Sequence, residues 1–362
     1  MSITYTIIDN IDELHTIKNE WQALHLLSDT PSIYNSYEFV SNSLFFLNYE
    51  HSTPFILLIY KDSILKGIFF MERNTETHSK VKLNLIESTA QQEIDKPYPV
   101  IHSEYYDETW SAFFDYLPQA GKWDLFRIYE LDENKKEHIL SQLKSKNKII
   151  RINPDKSGPT IDLNQSWQAY LMKHKKMRKK INRLTNNQSH SITFKTFDND
   201  LAALEIYKEI ESNSWKKGKI GISRSSNTYR FYQGMCESLS DSTTLSMKIG
   251  ILYIDYTPIS AEIAYTCNKN VYFCHGCYND DYATYSPGMI STAYFIQSFM
   301  EKDYHTGDFL CGYADYLKAW SDNTITTKQI DIYNNTLNVK IFFLIRGLRK
   351  LLTYVYPRFS HG

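Results

Sequence analysis

The sequence predicts an α/β protein with mixed sheets, built from two tandem modules packed side by side. Its 362 residues suit two domains, and a hydrophobic content of 42% is enough for two cores. The order strand, helix, helix, β-hairpin occurs twice, about 190 residues apart. A cluster of turn-forming residues at 153–159 separates the two copies, so we place the boundary between modules at 1–157 and 158–362.

The first copy begins with a strand over residues 3–8. Apolar residues then recur at spacings of three and four from Leu14 to Leu27, which predicts an amphipathic helix. A second helix follows near 38–46. Two apolar runs over 54–71 flank a Lys61-Asp62-Ser63 turn, which predicts a buried hairpin.

The second copy repeats this order after a long amphipathic helix at 163–185. It contains a strand at 191–197, two helices, and a hairpin from Leu245 to Tyr265. The two predicted helices cover 201–216 and 229–239. A last amphipathic helix is predicted at 338–356, in the second module.

Composition restricts the classes of partner and compartment. Lys and Arg total 40 against 41 for Asp and Glu, which argues against DNA or other nucleic acid as the main partner. Five cysteines in one half of a large chain do not resemble a disulfide framework. With no signal-like N-terminus and no apolar run of membrane-spanning length, we expect a cytoplasmic protein.

Two charged helices leave alternatives open. The 163–185 helix carries a basic run from Lys173 to Arg183, which is either a solvated face or a contact for nucleotide phosphates or a membrane surface. The helix at 338–356 either docks on the body of the protein or makes a peripheral membrane contact. No metal is expected, because Cys274-His275-Gly276-Cys277 lacks a second ligand pair.

A Ser286-Pro287-Gly288 turn opens an apolar helix, and Asp308, Gly312, Tyr316 and Trp320 follow at four-residue intervals. The backbone N–H groups at a helix start can hold a phosphate without a basic side chain. We therefore predict that the helix beginning at Met289 and Ile290 lies beside an anionic group of a ligand.

The motifs together resemble a known family. Trp167-Gln168-Ala169-Tyr170 with the basic helix, Ser214-Trp215-Lys216, the tract 278–288 and the segment 308–320 resemble the CelD-like acetyltransferases. This family is a branch of the tandem-GNAT group that includes the Fem-type aminoacyltransferases. The family usually has Tyr-Lys adjacent in its last motif, whereas this chain has Tyr316-Leu317-Lys318.

The resemblance implies two GNAT-like modules, a degenerate first one on the acceptor side and a second that binds acetyl-CoA or another acyl-CoA. The acceptor is expected in the cleft between them. It implies transfer of the acyl group to an amine of a sugar nucleotide or cell-surface glycan precursor. One alternative is a Fem-type enzyme that uses aminoacyl-tRNA, which the absence of a long heptad-patterned arm disfavours. Another is a non-catalytic binding or scaffold protein with the same fold.

Candidate catalytic residues come from the hairpin at 259–276. If Asn268-Lys269 is its two-residue loop, Glu262 faces His275 across the strands, and this pair could remove a proton from the amine. Asp308, at the start of a short strand, is an alternative base or a turn cap. By analogy with GNAT enzymes, Tyr316 is the candidate acid for the leaving thiolate.

The remaining candidates bind ligands. Ser286, Pro287, Gly288, Met289, Ile290 and Lys318 are predicted to contact the acyl-CoA. Aromatic and polar residues near the helix start are predicted to line the acceptor pocket, because tyrosine offers a flat face and a hydrogen-bonding tip. These are Trp215, Tyr278, Asp281, Tyr282 and Tyr285.

Overall fold

The structure is a computed structural model, and it describes residues 2–47, 52–78, 80–89, 93–144, 148–186, 190–310 and 315–355. The strands in chain order are β1 Ile3–Ile8, β2 Thr53–Lys61, β3 Ile64–His78, β4 Val81–Ser88, β5 Val100–Ile101, β6 Leu125–Leu131, β7 Ile149–Asp162, β8 Ile192–Asp198, β9 Leu245–Ile254, β10 Thr257–Cys267, β11 Asn270–Tyr278, β12 Thr306–Asp308 and β13 Asn323–Tyr333.

The α-helices are α1 Lys18–Leu26, α2 Tyr37–Phe46, α3 Tyr106–Tyr116, α4 Glu133–Leu143, α5 Trp167–Lys173, α6 Lys175–Asn186, α7 Leu201–Ser212, α8 Ser226–Ser238, α9 Pro287–Met300 and α10 Leu337–Val355. None of the described helices is both long enough and apolar enough to cross a bilayer. The predicted last residue of the final helix, Tyr356, lies outside the described residues.

The chain divides into two compact units, neither of which is one continuous segment. Unit 1 comprises Met1–Asn35, Tyr49–Lys156 and Thr326–Gly362, whereas unit 2 comprises Ser36–Asn48 and Ser157–Ile325. Helix α2 therefore belongs to unit 2, and most of β13 with all of α10 belongs to unit 1. The modules expected from the sequence, 1–157 and 158–362, were continuous.

Both units have the same strand pattern. In unit 1 the order is β1-β2-β3-β4-β6-β13, with β4 and β6 parallel and the other neighbours antiparallel. In unit 2 the order is β7-β12-β11-β10-β9-β8, with only β11 and β12 parallel. The mixed α/β class and the duplicated order of elements are confirmed.

The two hairpins also share a turn. Asp62 and Ser63 join β2 to β3 with φ values of 48° and 65°, and Asp255 and Tyr256 join β9 to β10 with φ values of 47° and 71°. Positive φ at both central residues is the geometry that matches the twist of the flanking strands. The similarity between the two copies therefore extends to the backbone conformation of this turn.

Each unit has its own apolar core. In unit 1, α3 and α4 cover one sheet face, where Phe69 stacks on Phe113 with ring centroids 4.2 Å apart. In unit 2, α9 covers β10 and β11, and Ala264 and Phe295 are fully buried in that layer. Burial of this apolar surface is the main source of stability in both units.

The long helix predicted at 163–185 is broken in two. His174 lies between α5 and α6 with φ −100° and ψ 59°, which is not helical. Its ring packs 4.4 Å from the ring of Tyr170, and its Nε2 lies 3.3 Å from an oxygen of Asp322. These contacts hold the imidazole, and α6 starts anew after it.

Candidate functional site

Two parallel strands separate in the middle of unit 2. Strands β11 and β12 pair only over residues 270–272 and 306–308, and the last pair is Tyr272 with Asp308. Beyond that pair β11 continues to Tyr278, while β12 has ended. Among the described residues, the part of β11 beyond Tyr272 therefore has no ladder with β12.

The predicted Glu262–His275 pair is wrong. The loop is as expected, because Cys267 pairs with Asn270, but the register shifts between Ile263 and Ala264. Ala264 pairs with Phe273 and Ile263 with His275, so the second strand has one extra residue and Glu262 faces Gly276. A bulge of one residue sends the following side chains to the opposite face.

The surrounding contacts confirm that the two side chains lie on different faces. The Glu262 carboxyl accepts a hydrogen bond of 2.6 Å from the hydroxyl of Thr292 in α9. His275 Nε2 instead lies 2.6 Å from the hydroxyl of Tyr232 in α8. The sheet therefore separates the carboxyl from the imidazole.

Glu262 is a buried acid with a raised affinity for protons. Its side chain is 8% exposed, and burial raises its pKa to about 8 because a charged carboxylate is poorly solvated in the core. The hydroxyls of Thr292 and Ser291 and the positive charge of Lys216 act in the opposite direction, but burial outweighs them. Near neutral pH this carboxyl holds its proton for much of the time.

Lys216 is a site residue that sequence reasoning did not select. It follows α7, and its Nζ donates a 2.6 Å hydrogen bond to the carbonyl oxygen of Gly276 in β11. The sequence feature that could have identified Lys216 is the Ser214-Trp215-Lys216 motif, of which only Trp215 is among the predicted site residues. Trp215 is 58% exposed, so it is not part of the core.

The start of α9 differs from the expected anion cradle. Ser286 has φ 52° and caps the helix without a side-chain hydrogen bond, and Pro287 has no N–H. The amides of Met289 and Ile290 both donate to the carbonyl oxygen of Ser286. Gly288 thus supplies the first-turn amide for a ligand, and a Cβ there would lie 3.2 Å from Tyr278 Cδ1.

Three predicted acceptor-pocket residues, Tyr278, Tyr282 and Tyr285, lie around that helix start. Tyr282 and Tyr285 pack on a small apolar group that includes Ile290, and their rings are 6.3 Å apart. Tyr278 lies against Gly288, whereas Asp281 is exposed and its amide donates to the side chain of Asn279. Trp215 lies on the loop that carries Lys216.

Asp308 lies at the end of β12, not at its start as predicted. Its carboxylate accepts a 2.9 Å hydrogen bond from the amide of Leu310, which has φ 65°. This is the turn-capping role that the sequence offers as the alternative to catalysis. Lys318 lies exposed in a short 3-10 helix over Asp315–Trp320, and the side chain of Tyr316 is outside the described part.

The segment Cys274-His275-Gly276-Cys277 lies in β11. Cys277 is buried, its thiol contacts the carbonyl of Tyr207, and burial raises the pKa of the thiol. Within the described ranges, no group of three or more potential ligand side chains could hold a metal ion.

Comparisons with known proteins agree with this geometry. Residues 172–318 match the family model described as acetyltransferase (GNAT) domain. No curated protein matches the chain in sequence.

Solved structures show the same fold at low identity. The crystal structure of FemX is similar with a TM-score of 0.59 and 11% identity, over 95% of this chain and 100% of that one. A conserved protein of unknown function from Bacteroides thetaiotaomicron VPI-5482 has a TM-score of 0.56 and 10% identity, over 91% and 100%.

A third structure is the C-terminal domain (DUF2156) of a putative lysylphosphatidylglycerol synthetase from Agrobacterium fabrum. Its TM-score is 0.54 with 8% identity, over 94% of this chain and 96% of that one. At these identities the likeness concerns the fold, while the family model identifies the domain that carries the separating strands. Residues 172–318 therefore form a GNAT domain, which indicates an acyltransferase, and the fold of the chain is similar to that of FemX.

Proposed function

We propose that the protein is an N-acyltransferase that moves an acyl group, most simply acetyl, from acyl-CoA to an amine. The acceptor we favour is an amino sugar nucleotide or another cell-surface glycan precursor. The observation that supports this most directly is the separation of β11 from β12 after Tyr272 and Asp308, beside the start of α9. An extended thioester can lie in that opening with its phosphates toward the helix N-terminus.

Few protein groups would contact the acyl-CoA donor. The amide of Gly288 and the partial positive charge of the α9 N-terminus face an anion without a charged side chain. Ser286 has a hydroxyl that caps nothing, and Lys318 is exposed. Pro287, Met289 and Ile290 shape the turn, because their own backbone groups are absent or already bonded.

The chemistry needs one proton acceptor and one donor. The amine attacks the thioester carbonyl carbon, the C–S bond breaks, and the ammonium proton must leave. We assign proton removal to His275, because it is half-buried beside the opening and Tyr232 fixes its ring. Glu262 is the alternative base from the other face, and Tyr316 is the candidate that protonates the thiolate.

The remaining candidates keep supporting roles in this proposal. Tyr278, Tyr282, Tyr285, Asp281 and Trp215 would bind the acceptor. Lys216 holds the Gly276 carbonyl, so it would set the path of β11 through the reaction centre. Asp308 would hold the turn at the end of β12.

Calorimetry with acetyl-CoA tests the donor. We expect binding by the wild-type chain and at least about tenfold weaker binding by Gly288→Val, because the added side chain presses on Tyr278. Gly347→Ala is the matched control, since a Cβ there meets nothing within 4 Å. Absence of heat at millimolar acetyl-CoA would remove the donor assignment.

Mass spectrometry of amino sugar nucleotides incubated with acetyl-CoA tests the reaction. A product heavier by one acetyl group would exclude the non-catalytic alternative. We expect His275→Gln to lower kcat by about 10²- to 10⁴-fold, the usual contribution of a general base. Full activity of His275→Gln together with inactive Glu262→Gln would assign proton removal to Glu262 instead.

A second candidate is a Fem-type transferase that takes its acyl group from aminoacyl-tRNA. The observation in its favour is α6, where Lys175, Lys176, Lys179 and Lys180 are all exposed. A run of unshielded cations can contact phosphates. Near-zero net charge of the whole chain argues the other way.

Co-purified RNA distinguishes the two candidates. RNA that disappears when these four lysines are changed to Gln would favour the tRNA donor. The control changes four other exposed lysines of unit 2 to Gln, namely Lys217, Lys219, Lys269 and Lys302. Loss of RNA in both variants would indicate non-specific attraction only.

A further inference from the structure

Helix α10 packs on unit 1 through apolar side chains of its first half. Val339 and Phe342 are 2% and 5% exposed, and they contact the sheet cluster that contains Leu83 and Tyr333. The rings of Phe342 and Tyr333 stack with centroids 5.9 Å apart. These contacts fix which side of the helix faces outward.

The outward side is apolar. Leu337, Ile341 and Leu344 are 70%, 38% and 64% exposed, and their spacing of four and three residues places them along one line of the helix. In the sequence the same spacing continues with Leu348, Leu351 and Val355. An exposed apolar stripe of this kind is typical of a surface that another body covers.

The charges on the helix have one sign. Its 19 residues include Lys340, Arg346, Arg349 and Lys350 and no acidic residue. Lys340 is exposed beside the outward stripe, and Arg346 is exposed farther around the helix. Exposed apolar residues on a helix whose only charged residues are basic are typical of helices that lie in the plane of a membrane surface.

We propose that α10 lies along an anionic phospholipid bilayer, with Leu337, Ile341 and Leu344 in the acyl-chain boundary and Lys340 at the headgroups. A second copy of the chain is the other possible cover. It would bring two helices of four positive charges each together with no acid to pair them. A negative lipid surface complements those charges, so it is the favoured occupant.

Vesicle flotation of the full chain tests this. We expect flotation with vesicles of 70% phosphatidylcholine and 30% phosphatidylglycerol, and not with phosphatidylcholine alone. Leu344→Gln should weaken binding at least about tenfold, since an exposed leucine leaves water on insertion. Lys340→Gln should weaken it about fivefold, which corresponds to about 1 kcal/mol per basic residue at such a surface.

Leu26→Gln in α1 is the matched control, because Leu26 is 64% exposed, as Leu344 is. It should bind vesicles like the wild type. Thermal melts should be unchanged in all three variants, so altered binding would not reflect unfolding. Unchanged binding of Leu344→Gln, equal binding to neutral vesicles, or a dimer in sedimentation that Leu344→Gln dissociates would each overturn the proposal. The assay uses no acyl donor, so its result is independent of the proposed reaction.

Discussion

The carboxyl of Glu262 makes the stability of the folded protein depend on pH. Its pKa is raised to about 8 in the folded state from an ordinary value of 4.5. Between these values the folded state binds a proton that the unfolded state has released. Its contribution to stability is therefore complete below about pH 4.5 and is lost as the pH rises toward 8.

This pH dependence leads to a prediction for Glu262→Gln. The free energy of unfolding of the wild type should fall between about pH 5 and 8, by up to about 1.4 kcal/mol per pH unit from this one group. Glu262→Gln should remove that slope and be the more stable protein at pH 8. Urea titrations at several pH values measure it, and Glu209→Gln, on the exposed face of α7, is the control that should keep the slope.

The effect of the Lys216 charge should be measurable through the pKa of the Glu262 carboxyl. Its positive charge lowers the pKa of Glu262, in opposition to burial. We expect Lys216→Gln to raise that pKa further and Lys216→Arg to leave it nearly unchanged. Carbon NMR of the labelled Glu262 carboxyl against pH measures this directly. A pKa that falls in Lys216→Gln would mean that the lysine does not act on this group.

At the scale of elements, α2 and α8 approach each other closely at Gly234. A Cβ on Gly234 would lie 2.8 Å from Phe46 Cε2 and would also collide with Asn42. Phe39 of α2 is fully buried against Phe231 and Tyr265, with ring centroids 5.3 and 5.7 Å away. This layer has no room for an added methyl group.

Replacing either of two helical glycines by alanine should therefore change the stability in opposite directions. Gly234→Ala should destabilise the protein by about 1–3 kcal/mol, because the clash forces α2 and α8 apart. Gly347→Ala in α10 should stabilise it by about 0.5–1 kcal/mol, because the site is open and alanine favours helix. Chemical denaturation of both variants measures the change in the free energy of unfolding. Equal changes would mean that helix propensity alone determines the effect of these substitutions.

The elements also show what the sequence could and could not predict. Hydrophobic periodicity was sufficient for most strands and helices and for the Cys267–Asn270 loop, because these depend on local patterns. The bulge beside Ile263 was not predictable, since a register counted outward from a loop assumes a regular ladder. The break at His174 depends on contacts with Tyr170 and Asp322, which only the folded chain brings together.

At the scale of the molecule, unit 1 is completed by the end of the chain. Arg127 of β6 donates a 2.8 Å hydrogen bond to Asp331 of β13, and both side chains are buried. Unit 2 likewise needs α2, which lies 120 or more residues before most of its other elements. Composition and periodicity carry no information about such exchanges, so the sequence suggested continuous modules.

We therefore expect residues 158–362 alone to lack a stable fold. That segment contains no α2 to cover Phe231 and Tyr265, and its β13 has no β6 to pair with. Circular dichroism should show no cooperative thermal transition, whereas the full chain should show one. Adding the peptide 36–48 should not restore the transition, because β13 would still be unpaired; a sharp transition in the fragment alone would contradict the expectation.

The pairing of β6 with β13 also affects how the chain folds during its synthesis. The edge of β6 leaves the ribosome more than 190 residues before its partner strand is made. At 5–20 residues per second, the nascent chain carries an open β edge for roughly 10–40 seconds. An unpaired edge invites association with other chains, so chaperone demand during translation should depend on how soon β13 emerges.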